Sequence, residues 1–224
     1  MFQTVICTVD VVLLTLKEHK LHVALFKRDK EPFAGSYALP GGYIHADEDN
    51  TAFDAALRVL KAKTGVTSPY LEQLATFSGA ERDPRGWSVS IVYYALMPLE
   101  VLEAADQAGM QVLPVSAVKD LPFDHNDIVA AAVKRVRSKS IYSSLPAHLC
   151  GPQFTLPELQ SVYEAVLGKT LNKVSFRRKV DELDLVEEIP GAKTEVISQR
   201  PAQIYRLKRK FRHKLSTVER ALLS

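Results

Sequence analysis

Residues 41–66 read GGYIHADEDNTAFDAALRVLKAKTGV, and the fold turns on how this stretch is read. A glycine turn leads into an acidic loop, then into a helix with one arginine, Arg58, that closes on Thr64-Gly65-Val66. The loop is crowded with carboxylates at Asp47, Glu48 and Asp49, yet the helix is nearly empty of them.

The flanking chain is strand-rich. Thr4 to Thr15 and Leu21 to Lys27 are β-branched and apolar, and the polar LKEHK between them suggests a hairpin. Ser88 to Met97, SVSIVYYALM, is a third strand candidate. In FDHNDIVAAAVKRVRSK the residues Ile128, Ala132 and Val136 recur at helical spacing. Residues 1–142 therefore read as one mixed α/β domain. Residues 143–153, SSLPAHLCGPQ, have the proline, glycine and polar content of a linker.

Residues 154–224 change character. Thr155 and Glu158 form a capping box that opens a helix with Leu159, Tyr163 and Val166 along one face and Gly168 as its stop. A second helix, about 172–185, places Phe176, Val180 and Leu183 toward a core and leaves Lys173 and Arg177 outward, flanked by Arg178 and Lys179. The alternating chain after it, punctuated by Pro190-Gly191 and Arg200-Pro201, fits a two-stranded wing. Helix, turn, basic helix and basic hairpin spell a winged helix-turn-helix, whose second helix enters the major groove of DNA.

Bulk composition supports this division. The 224 residues, 46% hydrophobic and 25% charged, suit a globular protein of one or two domains, and no apolar run approaches the roughly 18 residues of a membrane span. The apolar N-terminus has no basic leader and carries Asp10, so a cytoplasmic protein is expected. Cys7 and Cys150 lie far apart without CxxC spacing, which argues against a disulfide or zinc framework and for two small buried residues. The net charge of +3 conceals an asymmetry. From residue 150 onward there are 14 Lys and Arg against 9 Asp and Glu, and the remainder carries −2. A basic C-terminal third is what a polyanion partner requires, although solvated basic surfaces have the same composition.

The frame of 41–66, with LPGG before it, resembles the Nudix box of nucleoside-diphosphate hydrolases. Gly42 and Glu48 match its first spacing, and Arg58, Leu60, Gly65 and Val66 match its end. Nine residues separate Glu48 from Arg58, two more than in the family, and the family's spacing counted back from Arg58 falls on Asn50. The family's three glutamates after the arginine share one helix face and hold Mg²⁺. Here they are Val59, Ala62 and Lys63, which offer a hard cation no oxygen. The resemblance implies a Nudix fold without hydrolysis, hence no catalytic residue, metal site or required cofactor.

A pocket can outlast its metal. RDPRGWSVS, residues 82–90, resembles the loop of Nudix proteins that handle ADP-ribose, and Arg28 follows the second strand near the same expected cleft. Arginine forks suit a diphosphate, and Phe33 or Trp87 could stack on adenine. The resemblance thus marks Arg28, Phe33, Glu48, Arg58, Lys63, Arg82, Arg85, Trp87 and His125 as effector-binding candidates. Taken singly, each is equally the kind of residue found as a surface charge, a core aromatic or a structural histidine.

A degenerate Nudix domain followed by a winged helix resembles the Nudix-related transcriptional regulators of NAD metabolism, with SFRRKV and RPAQIYRL as the telling stretches. The resemblance implies a homodimeric repressor of NAD biosynthesis or salvage genes that leaves a palindromic DNA operator on binding ADP-ribose. Lys173, Ser175, Arg177, Arg178 and Lys179 would read bases, and Lys193, Arg200, Lys208, Arg209 and Lys210 would hold phosphates. Two alternatives share the frame: an active Nudix hydrolase of ADP-ribose or related compounds, and a regulator answering to a sugar such as arabinose.

Overall fold

In the computed structural model, the structure describes residues 4–65, 70–105, 109–193, 201–211 and 215. Strands β1 (Ile6–Lys17) and β2 (Lys20–Lys27) form the expected hairpin, with β1 running two residues beyond the polar boundary seen in sequence. Its turn residues Glu18 and His19 have φ of 50° and 57°. Such left-handed pairs match the twist of a two-residue hairpin.

Short β3 (Tyr37–Ala38) pairs with β2, and β4 (Gly41–Tyr43) pairs with β1. Helix α1 (Ala52–Thr64) follows, then β5 (Leu71–Gly79) and β6 (Ser88–Leu96). A short α2 (Leu99–Ala104), β7 (Met110–Pro114) and α3 (His125–Ser140) complete the first unit. β6 runs parallel to β1, and the sheet order is β3-β2-β1-β6-β5, with β7 against β2.

Both faces of this sheet are covered, which is why β1 reads as a nearly continuous apolar run. On one face Val9, Val11 and Leu13 pack with Ala55, Ala56, Val59 and Leu60 of α1. On the other, Val12 and Leu14 pack with Ile128, Val129, Ala132 and Val136 of α3. Cys150 is buried as expected, but Cys7 is exposed because it precedes the covered part of β1.

The second unit begins with α4 (Leu156–Leu167) and α5 (Lys173–Leu183), followed by the antiparallel pair β8 (Val186–Lys193) and β9 (Gln203–Leu207). The capping box forms: Thr155 Oγ1 accepts from the Glu158 amide, and the Glu158 carboxylate accepts from the Thr155 amide at 2.6 Å. Leu159, Tyr163, Phe176, Val180 and Leu183 are buried in one cluster, joined by Tyr205 and Leu207 of the wing.

Residues 143–150 of the linker segment are buried, and 145–149 form a 3₁₀ turn. The connection is therefore packed rather than loose. Tyr163 Oη donates to the Ser143 carbonyl at 3.1 Å, and Ser161 Oγ lies 3.0 Å from His19 Nδ1 on the β1–β2 turn. Val166 of α4 belongs to the same core as the sheet.

Candidate functional site

The paired glycines, which form strand β4 and not the turn expected from sequence, line with α1 and the loop after β5 a cleft of about 560 Å³. A Cβ on Gly41 would sit 2.0 Å from Asp10 Oδ1, so any side chain there would displace the buried Asp10 carboxylate. Among the candidates, Arg28, Arg58, Lys63, Arg82, Arg85 and His125 line the cleft.

Most of those arginines are already held. Arg58 Nε and NH2 donate to Asp49 at 2.9 and 2.6 Å, and NH2 also donates to the Tyr43 carbonyl. Hydrogen bonding to Arg58 brings the Asp49 carboxyl down to about 2. The acidic loop is thereby closed onto α1, with Glu48 Oε2 a further 3.8 Å neighbour of Arg58 Nε. Arg85 pairs with Asp83 at 2.6 Å and lies over the Tyr43 ring, 5.3 Å from its centroid. Arg82, 8% exposed, forms a fork with Asp124 at 2.9 and 2.8 Å and donates to Ser88 Oγ. Arg28 Nε donates to the Pro32 carbonyl, and its guanidinium lies over the Phe123 ring at 4.9 Å. Lys63 enters none of the ion pairs among the described residues, so its ammonium remains available to an anion.

His125 has a defined protonation state. The Leu39 amide donates to its Nδ1 at 3.1 Å, so the ring proton sits on Nε2, 3.7 Å from Asp10 Oδ1. Burial lowers its pKa against the pull of Asp10 and Asp124, which keeps it neutral. Asp10 also accepts from Ser90 Oγ at 2.6 Å. Sequence reading passed over Asp10 and Asp83 as cleft residues, and Asp124 as the carboxylate that holds Arg82. The only signal for Asp10 was a carboxylate inside an apolar strand.

Three candidates lie outside the cleft lining. Glu48 is exposed beside His45 and Arg58. Phe33 is exposed and packs edge-on against Phe123, centroids 5.0 Å apart, one ring removed from the cleft. Trp87 is exposed beyond the loop, where its carbonyl accepts from the Ile6 amide.

A Nudix-type metal does not fit the donor set. Val59 is 5% exposed and packs in the α1 core, Ala62 carries only a methyl, and Lys63 presents a cation. Among the described residues no group of three or more His, Cys, Asp or Glu side chains is arranged to hold a metal ion.

The second candidate surface is α5. Asn172 caps it, its Oδ1 accepting from the Val174 and Ser175 amides. Lys173, Arg177 and Arg178 are exposed and Ser175 is half-buried. Lys179 departs from its expected role as a base reader. Its side chain is 9% exposed, with Nζ bound to Glu182 at 2.9 Å, because it lies on the core side next to Phe176, Val180 and Leu183. Lys193 and Arg209 are exposed, whereas Lys208 and Lys210 both pair with Asp184. Arg200 falls outside the described residues.

A Nudix-like cleft and a basic winged helix in one chain define the class: a small-molecule-binding domain fused to a DNA-binding one. Comparison with known proteins makes this specific. The NUDIX domain family model matches residues 7–134, and that of the NrtR DNA-binding winged helix domain matches residues 146–207. The ADPR responsive transcriptional repressor NtrR of Acinetobacter baylyi is 39% identical over 203 residues, covering 89% of this chain and 80% of that protein. The crystal structure of Shewanella oneidensis NrtR complexed with a 27mer DNA superposes with a TM-score of 0.84 at 39% identity, over 90% of this chain and 93% of that one. The NUDIX domain of the same Shewanella protein, complexed with ADP ribose, is 36% identical with a TM-score of 0.53, over 60% of this chain and 90% of that one. This chain belongs to the NrtR family. No helix among the described residues is long and apolar enough to cross a membrane.

Proposed function

We propose that the protein is a cytoplasmic, homodimeric transcriptional repressor of NAD biosynthesis or salvage genes that binds a palindromic operator through α5 and the wing and releases it on binding ADP-ribose. One observation carries the reading. The chain joins a basic recognition helix to a Nudix cleft whose metal positions hold Val59, Ala62 and Lys63. A cleft of this kind can bind a diphosphate without the Mg²⁺ chemistry that would consume it. The named relatives, one responsive to ADPR and one crystallised with DNA and with ADP ribose, support the same assignment.

Within the cleft, Lys63 meets the diphosphate charge, Arg82 and Arg85 supply forked donors once their carboxylate partners yield, and Arg28 does so once it leaves the Pro32 carbonyl. On DNA, Lys173, Arg177 and Arg178 reach base edges, while Lys193, Arg209 and a wing segment containing Arg200 meet phosphates.

An effector releases DNA only by favouring an arrangement that DNA does not. Helix α3 offers a route for this coupling. Its N-terminus sits at the cleft through Asp124 and His125, and roughly 24 Å away, by its helical rise, its last turn meets the junction. There Lys139 binds Glu72, and Ser143 Oγ donates to the Lys139 carbonyl at 2.7 Å. Ser143 in turn holds Tyr163 of α4. A ligand that draws Arg82 away from Asp124 acts at one end of this rod, and the winged helix is fastened to the other.

The test is binding of the purified protein to labelled DNA from upstream of its own operon, at several salt concentrations, with and without ADP-ribose. Tight, salt-sensitive binding abolished by ADP-ribose supports the reading. Tight binding indifferent to ADP-ribose points to a sugar effector, and steady turnover of ADP-ribose returns the protein to the hydrolases.

A further inference from the structure

Val174 is 77% exposed, far more than any other large hydrophobic side chain among the described residues, the next being Tyr43 at 49%. It stands in the first turn of α5, where nothing in the fold calls for an isopropyl group. A β-branched residue is not a favoured helix former, so local propensity does not account for it either. Its direction is informative. At about 100° per residue, Val174 lies roughly 160° around the helix from Phe176, which faces the core. Arg177 and Arg178, three and four residues on, share its outward side.

The neighbours leave this position open to a partner. Asn172 Oδ1 is used in capping, which fixes the first turn and the height of Val174 on it. Arg178 Nε has only a distant, exposed partner in Glu182 at 3.8 Å. An apolar group flanked by guanidinium groups on a recognition helix meets two kinds of surface in a major groove: base edges with polar donors and acceptors, and the thymine 5-methyl, the one apolar group there.

We infer that Val174 is a specificity-determining residue that reads a thymine methyl in each operator half-site, while Arg177 and Arg178 make the polar contacts beside it. The inference rests on the DNA-binding reading above and adds to it a side chain of no charge, which a search for basic residues passes over.

The test replaces thymine by uracil, which removes the methyl and leaves every hydrogen-bonding group of the base in place. A binding sequence is first selected with the full-length protein from random duplexes, and each thymine is then replaced singly at one fixed salt concentration. Wild type is expected to lose about four-fold in affinity at one thymine per half-site, the equivalent of ~0.8 kcal/mol for one buried methyl group. Val174→Ala is expected to bind the parent sequence more weakly and to be indifferent to uracil at that same position. Equal sensitivity of wild type and Val174→Ala at every thymine overturns the inference, as does a wild type blind to all of the methyls. Selection that enriches no sequence overturns the DNA-binding reading and this inference with it. A thermal melt of Val174→Ala that overlays wild type shows that affinity changes arise at the DNA.

Discussion

Arg58 grips Asp49 with two hydrogen bonds, Nε to Oδ1 at 2.9 Å and NH2 to Oδ2 at 2.6 Å, and so fastens the acidic loop to α1. The arginine of the box is thus a clasp before it is a ligand. The pair makes stability depend on pH in a defined direction. Because the folded-state pKa of Asp49 falls from 3.8 to about 2, the contribution is fully present above pH 3.8 and is lost as pH falls toward 2. Thermal unfolding of Arg58→Ala should lack this acid-side decline. A variant that matches wild type at every pH would show that the clasp adds nothing to stability.

Arg82 is buried beside two carboxylates, in a fork with Asp124 and 3.8 Å from Asp10. Removing it leaves both acids without their cation in a poorly hydrated site. Arg82→Met should therefore cost about 3 to 5 kcal/mol of stability in chemical denaturation. The variant Arg82→Met with Asp124→Asn should recover part of that loss. Full wild-type stability of the single variant would mean that water already reaches this network.

Lys63 stands where the Nudix resemblance expects a metal-binding glutamate, so effector binding is predicted not to need a divalent ion. Calorimetric titration with ADP-ribose is expected to give the same affinity with Mg²⁺ and with a chelator. Lys63→Ala should weaken it by about 1.5 to 3 kcal/mol, the value of a hydrogen bond to a charged group. Loss of binding on chelation would show that a metal still holds the ligand. Introducing Val59→Glu, Ala62→Glu and Lys63→Glu together should raise Mg²⁺ affinity but lower stability, since Val59 is a core residue packed with Val9, Val11 and Leu13.

Arg177 and Lys179 lie two residues apart in a basic run but should behave as opposites. Arg177 is exposed, and Arg177→Ala should cost about 1 to 3 kcal/mol of operator binding with stability unchanged. Lys179 lies against the core with its ammonium on Glu182, so Lys179→Ala should lower the melting temperature and leave specific affinity nearly intact. Equal losses of operator affinity would return Lys179 to the DNA surface.

What the sequence determined by itself was whatever repeats locally. Helical period located α3, α4 and α5, a capping box opened α4, apolar runs about a polar turn marked the first hairpin, and the frame from the paired glycines to Thr64-Gly65-Val66 marked α1, because each signal needs only a few neighbouring residues. The substitutions at Val59, Ala62 and Lys63 were likewise legible, since their chemistry does not depend on where the helix packs. β5 and β7 escaped notice. β5 is a sheet edge with many exposed residues, and β7 is five residues long, so neither carries a strong apolar pattern. Tertiary structure alone decided which cations are spoken for. Arg58 looks free in sequence until Asp49 of the acidic loop folds against it, and Arg82 until Asp124 arrives from 42 residues away. It also decided that Phe33 and Trp87 stand outside the cleft, that the linker is packed, and that Lys179 faces inward while Val174 faces out. The reason is common to all of these. Pairing, burial and direction belong to the contacts between distant segments, and a run of like residues cannot show which of its members the fold will use.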